Sequence, residues 1–252
     1  MGPKLLPLTL KPGQDPKSPG RIWGDAERLG KGVRWMQRSK ITEGFVDEAI
    51  PFIKVAAEAE KPFYVNLWPD DVHSPFWPPV DKWGNGKREL YLSVLREMDR
   101  QFGKLFDFVR DDEALRKNTL VLICSDNGPE QGAGVSGPFR GYKTHLYEGG
   151  VRSSLIAWGP GLIPSNNNES TAKVNEKSVF SAVDLVPTLL ALADVPHPEG
   201  VKYDGESLPD VLLGKSDVSR KQPLLFRRPP DRDAYYAVSY THLRAHETRE
   251  ER

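Results

Sequence analysis

The chain has 252 residues, with 35 Lys and Arg against 35 Asp and Glu, so its formal net charge at neutral pH is zero. That balance gives no ground for nucleic acid or an anionic membrane as the main partner. No apolar run of about 18 residues is present to form a membrane span, and the single cysteine, Cys124, excludes an intrachain disulfide and any CxxC zinc site. A chain of this length buries a substantial core and accommodates one large domain or one and a half.

Met1 to Gly20 hold five prolines and little periodicity, and residues 1–40 read as an irregular lead-in or insertion. The opening MGPKLLPLTLKPG lacks the continuous apolar stretch of a signal peptide. From Thr42 the pattern turns helical, with Phe45, Val46, Ala49, Ile50 and Ile53 at three- and four-residue steps. Pro51 is expected to kink or restart that helix. Lys61-Pro62 ends it, and Phe63 to Trp68 reads as a short buried strand. A loop follows with Asp70, Asp71 and His73, then a stiff segment containing Phe76 and Trp77 among prolines. Surface solvation is the expectation for Asp70 and Asp71.

A long amphipathic helix is expected from Glu89 to Arg110, with Leu95, Met98, Phe102, Leu105 and Val109 on its apolar face. Arg96 and Asp99 lie off that stripe. Thr119 to Cys124 has the length and β-branched content of a buried strand, with Cys124 as a small buried residue. Asp126-Asn127-Gly128 follows at once, and a glycine-rich loop then carries Arg140 and Lys143 before a second apolar run, Leu155 to Trp158. Helix alternating with strand argues for an α/β sandwich with a largely parallel or mixed sheet. Carboxylate and amide oxygens at a strand's C-terminal end, with a lysine on the glycine-rich loop, suggest a site for a hard cation and an oxyanion.

Beyond Gly159-Pro160-Gly161, Ser165 to Lys177 reads as exposed loop and Val179 to Ala193 as a helix interrupted by Pro187. Residues 237–252, with His242 and His246, continue no pattern of the domain and read as a non-native tail.

The order strand, Asp126-Asn127-Gly128, Arg140-Gly141-Tyr142-Lys143, Glu148-Gly149-Gly150, strand resembles the sulfatase family, within the alkaline-phosphatase-like superfamily. Asp184-x-x-Pro187-Thr188 and Asp204-Gly205-x-Ser207-Leu208 are similar to later family segments and read as packing elements without chemistry. The resemblance covers about Ile41 to Gly214. It implies an α/β fold, an alkaline-phosphatase-like sandwich whose central mixed, largely parallel sheet lies between helices and is incomplete at the N-terminus. Residues 41–198 would be the C-terminal part of the catalytic domain, and 199–236 the start of a C-terminal subdomain.

The same resemblance implies metal-dependent hydrolysis of sulfate esters in a full-length protein, on a sulfated small molecule or glycan, in the periplasm or outside the cell. Asp126 and Asn127 would be ligands of calcium, or of magnesium in some relatives. Lys143 would hold the sulfate oxyanion, and His73, in a His-x-Pro element, would contact the sulfate and protonate the leaving alkoxide. Such enzymes use a formylglycine made from a Cys/Ser-x-Pro-x-Arg motif. Cys124 is followed by Ser-Asp-Asn, no serine is expected to fit the motif, and the nucleophile is expected in a missing N-terminal part. This chain alone is then expected to be inactive. Two alternatives stand beside this: a phosphate or phosphonate ester hydrolase of the same superfamily, and a non-catalytic protein that binds a sulfated glycan.

Overall fold

In the structure, a computed structural model that describes residues 4–8, 33–164, 173–227 and 235–238, the strands form three two-stranded ladders. β1 (Lys4–Leu8) pairs parallel with β2 (Val33–Gln37), and β3 (Val121–Cys124) pairs antiparallel with β4 (Leu155–Trp158). β5 (Leu224–Arg227) pairs antiparallel with β6 (Tyr235–Val238). Two units divide the chain, Met1–Leu115 with Glu130–Val135, and Arg116–Pro129 with Ser136–Arg252.

Two corrections concern the ends. Lys4–Leu8 and Val33–Gln37 are strands where the sequence suggests irregular structure; among the described residues β1 has one ladder partner, and an edge strand tolerates a proline such as Pro7. Ala237 and Val238, assigned to the tail, belong to β6. The remainder of the tail, including His242 and His246, lies outside the described residues, as does 165–172 of the expected loop.

In the first unit, α1 (Ile41–Glu58) buries Val46, Ala49 and Ile53 along one face and packs on α2 (Lys87–Asp111). Pro51 lies inside α1 without interrupting it. Both Pro51 and Asp47, whose carbonyl loses its helical partner, are on the exposed side, where water replaces the lost bond.

The helices are clamped by a polar residue. Gln101 is fully buried; its Oε1 accepts from the Glu43 amide at 2.7 Å, and its Nε2 donates to the Ser39 carbonyl at 2.6 Å and to Glu97 at 2.8 Å. One first-turn amide of α1, which has no partner within its own helix, is thus satisfied from α2. The apolar stripe expected on α2 is corrected accordingly. Val109 is buried, but Val94, Glu97 and Gln101 form the rest of the deeply buried line, while Leu95, Met98, Phe102 and Leu105 are half-buried. The polar residues go inside because they find partners there. Val94 also joins Phe76 and Ala133 in a small core, with Val72, Leu90 and Tyr91 against it.

Phe63 to Trp68 forms no strand. Its side chains do alternate, Phe63, Val65 and Leu67 half-buried and Tyr64, Asn66 and Trp68 exposed, but no ladder partner exists among the described residues. Extended backbone without a neighbour is not a sheet.

A short helix, α3 (Glu113–Asn118), precedes β3, and in the second unit β3 and β4 occupy the expected segments. Cys124, however, is exposed, as are Ile123 and Ile156. The expectation of burial fails because each strand has one neighbour, and nothing among the described residues covers that part of the ladder. α5 (Ala182–Leu192) runs through Pro187 and starts at Ser181 with a reciprocal capping box to Asp184.

Candidate active site

At the end of β3 three glycine-bearing loops interlock. The Gly128 amide donates to the Gly150 carbonyl at 2.9 Å, the Gly149 amide to the Arg140 carbonyl at 2.8 Å, and the Lys143 amide to the Pro129 carbonyl at 2.8 Å. A Cβ on Gly149 would lie 2.5 Å from the Gly141 oxygen, and one on Gly150 would lie 2.0 Å from the His145 oxygen. Those distances are far inside van der Waals contact, so these positions require glycine for closeness of approach. Packing thus brings Asp126-Asn127-Gly128, Lys143 and Glu148-Gly149-Gly150 into one cluster.

Asp126 is exposed and Asn127 half-buried at the strand end. Lys143 is half-buried, and no carboxylate pairs with it among the described residues. Around it the cations are held by aromatic faces: the Arg140 guanidinium lies 4.1 Å from the Tyr147 ring centroid, and Arg152 lies 4.4 Å from that of Phe139. Arg152 also pairs with Glu148, on α4 (Glu148–Val151). A positively charged loop set beside a carboxylate and an amide can hold an oxyanion and contribute to holding a hard cation.

For the metal, the described residues contain no group of three or more His, Cys, Asp and Glu side chains that could hold an ion. Asp126 and Asn127 offer at most three side-chain oxygens, while calcium takes about six to eight. This pair alone does not build a metal centre.

His73 lies in the first unit, on the loop after Trp68. Its Nδ1 is 2.7 Å from the Ser74 carbonyl oxygen, a contact that requires Nδ1 to donate its proton and leaves Nε2 as the acceptor in the neutral ring. Beside it, the expectation of surface solvation is corrected for Asp71. That residue is 4% exposed and accepts from Thr42 Oγ1 at 2.8 Å. Burial pushes its carboxyl above the usual aspartate range, against the opposing hydrogen bond from Thr42. Asp70 forms an ion pair with Arg38 at 2.8 Å.

Sequence reading overlooked three serines. Ser125 Oγ donates to the Asn127 carbonyl at 2.9 Å, and Ser153 Oγ donates to the Ser125 carbonyl at 2.8 Å, so both shape the strand end. The available signal was serine at strand termini, where short side chains bond locally. The third is Ser136: contrary to the expectation that no serine fits it, Ser136-Gly137-Pro138-Phe139-Arg140 carries the Cys/Ser-x-Pro-x-Arg spacing. Its hydroxyl donates to the Phe139 carbonyl at 2.9 Å within a turn, and no helix begins there. That setting is unlike a nucleophile presented at a helix N-terminus.

The Asp184 and Asp204 segments dock on each other as packing elements. Asp184 Oδ1 accepts from the Glu206 amide at 2.7 Å and pairs with Arg220 at 3.2 Å, and the Thr188 hydroxyl accepts from the Leu208 amide at 2.9 Å.

A family model described as Sulfatase matches residues 21–195. N-acetylgalactosamine-6-sulfatase of Canis lupus familiaris is 32% identical over 214 residues, covering 82% of this chain and 38% of the relative. Arylsulfatase G of Mus musculus is 32% identical over 199 residues, covering 73% and 36%. The chain therefore spans less than two-fifths of the length of these relatives. A solved structure concerned with metabolism of multiple glycosaminoglycans by Bacteroides thetaiotaomicron superposes with TM-score 0.61 at 26% identity, over 76% of this chain and 40% of that one. PsFucS1 sulfatase from Pseudoalteromonas sp. shares the fold at TM-score 0.62 and 22% identity, over 86% of this chain and 51% of its own. The fold is the alkaline-phosphatase-like one of these neighbours, carried here as a partial sheet with helices. With its diagnostic loops interlocked as described, the chain belongs to the sulfatase family.

Proposed function

We propose that the full-length protein hydrolyses sulfate esters of a small molecule or glycan, in the periplasm or outside the cell. The observation that carries this is the interlocked cluster after β3, which sets Lys143 on the same loops as Asp126 and Asn127 in a chain of the sulfatase family. The names of its relatives, N-acetylgalactosamine-6-sulfatase among them, favour a sulfated sugar.

In this reading the Lys143 ammonium binds the sulfate oxygens and offsets the charge that grows on them in the transition state. His73, given its role by the family's His-x-Pro element, keeps Nδ1–H on the Ser74 carbonyl and, as the imidazolium, gives its Nε2 proton to the departing alkoxide. Asp126 and Asn127 contribute oxygens toward a calcium or magnesium ion completed by other residues. The formylglycine nucleophile comes from outside this chain. Residues 239–252 are read as foreign to the domain.

The test is turnover of sulfate and phosphate esters by the full-length enzyme. Lys143→Ala and His73→Ala should each lower sulfate release by about 10²- to 10³-fold, and Asp126→Ala should abolish its metal dependence. Unchanged rates in all three overturn the site. Preferred cleavage of the phosphate ester would overturn the substrate class.

A further inference from the structure

Between the turn Arg38–Lys40, the segment Trp77–Lys82 and one side of α2 lies a cavity of about 460 Å³, wholly within the first unit. That size falls among small-molecule sites, about 300–1,000 Å³. Its walls combine an aromatic face with excess positive charge. Trp77 is fixed edge-to-face on Trp83, with ring centroids 5.6 Å apart, and two prolines follow it along the wall.

Cationic side chains on the lining are Arg38, Lys40, Lys82 and Arg100, against the carboxylates Asp81 and Glu97. Arg38 is neutralised by Asp70, outside the cavity, which leaves three cations facing two carboxylates, an excess of one. Glu97 is the anchor: its side chain is 8% exposed and binds Arg100 at 2.5 Å and Lys82 at 3.2 Å. Lys40 is exposed and makes no direct ion pair among the described residues, although, after the Lys104 hydrogen bond, its charge helps hold the Glu43 carboxyl below the usual range.

The geometry points to a binding site for a monoanionic saccharide unit, with the apolar C–H face of the sugar on Trp77 and its carboxylate or sulfate on Lys40. An indole face carries negative potential and packs well against C–H groups. The Lys40 ammonium supplies the counter-charge, and the hydroxyls of a sugar match the polar groups of Lys82 and Arg100. None of these residues has a role in the proposed hydrolysis. The inference deepens that reading by giving a sulfated-sugar hydrolase a place to hold a saccharide; since binding is read without turnover, either can fail alone.

The experiment is calorimetric titration of the full chain with galactose 6-sulfate, galacturonate and galactose, with inorganic sulfate as control. At least one sugar acid should bind tenfold or more tighter than galactose and than inorganic sulfate, weakening as salt rises. Which acid binds identifies the anionic group. Trp77→Ala and Lys40→Ala should each weaken that binding about tenfold, which is about 1.4 kcal/mol. Lys40 is exposed, so its variant remains informative if the tryptophan variant fails to fold. Equal binding of galactose or of inorganic sulfate, undiminished binding by Lys40→Ala, or no binding of either acid overturns the proposal.

Discussion

The amide of Gly128 reaches the carbonyl of Gly150 across 2.9 Å, and a Cβ added to Gly128 would lie 1.9 Å from the Gly149 oxygen. The Asp-Asn-Gly turn and the Glu-Gly-Gly turn therefore touch backbone to backbone. Gly128→Ala should force them apart and lower stability by about 1–3 kcal/mol, as overpacking does. Urea denaturation reads this directly, and an unchanged midpoint would contradict the close approach.

Asp184 and Arg220 form a buried pair, with side chains 0% and 4% exposed and 3.2 Å between them. Removing Asp184 leaves the buried Arg220 guanidinium with only the more distant Glu206 carboxylate, at 4.0 Å. Asp184→Ala should cost about 3–5 kcal/mol, more than loss of an N-cap alone, about 1 kcal/mol. The double variant Asp184→Leu with Arg220→Met should recover part of that loss. If the double change is as damaging as the two single changes added together, the pair is not coupled.

Two carboxylates of the first unit should give opposite acid responses. Glu97 is drawn from 4.5 down to about 2, first by its hydrogen bond to Arg100, with Gln101 and Lys82 assisting against burial. Its folded value is depressed, so its contribution is present above 4.5 and lost as pH falls toward 2. Asp71 is raised above 3.8 by burial, so the unfolded chain ionises first and stability declines as pH rises past 3.8. Glu97→Gln should flatten the acid limb of a stability-versus-pH curve. Asp71→Asn, which keeps an acceptor for Thr42, should remove the decline above 3.8. Identical curves for the wild type and both variants would refute both assignments.

Exposed apolar side chains give a fourth expectation. Ile123 and Ile156 on the β3–β4 ladder are 43% and 55% exposed, and among the described residues each strand has an edge without a ladder partner. Surfaces of that kind associate. The isolated chain should elute from a sizing column above its 28.3 kDa mass. A monomer at all concentrations would argue that the ladder is covered.

Local patterns were legible wherever neighbouring residues decide the outcome. The periodicity of Val46, Ala49 and Ile53 yielded α1, and the apolar runs ending at Cys124 and Trp158 yielded β3 and β4. The loops that carry Asp126, Asn127 and Lys143 were readable because Gly128, Gly149 and Gly150 stand where a Cβ would meet backbone atoms. What failed depended on distant partners. Phe63 to Trp68 alternates as a strand would and has no ladder neighbour among the described residues; Cys124 sits in an apolar run and finds no cover among them. Gln101 and Asp71 look like surface residues until Glu43 and Thr42 meet them. Sequence periodicity records a preference for burial, but the partner that provides it lies far along the chain.

Pro187 has no N–H, so the Val183 carbonyl four residues earlier in α5 receives no helical bond. At that same oxygen Gly205 comes so near that a Cβ there would sit 1.9 Å away. The imino acid and the glycine are thus two halves of one fitting: one withholds an amide, the other a side chain. Any other residue at 187 would make a better helix by itself, yet it would turn the Val183 carbonyl back into the helix ladder. The gap into which the Asp204–Leu208 segment settles exists because of an atom that proline leaves out.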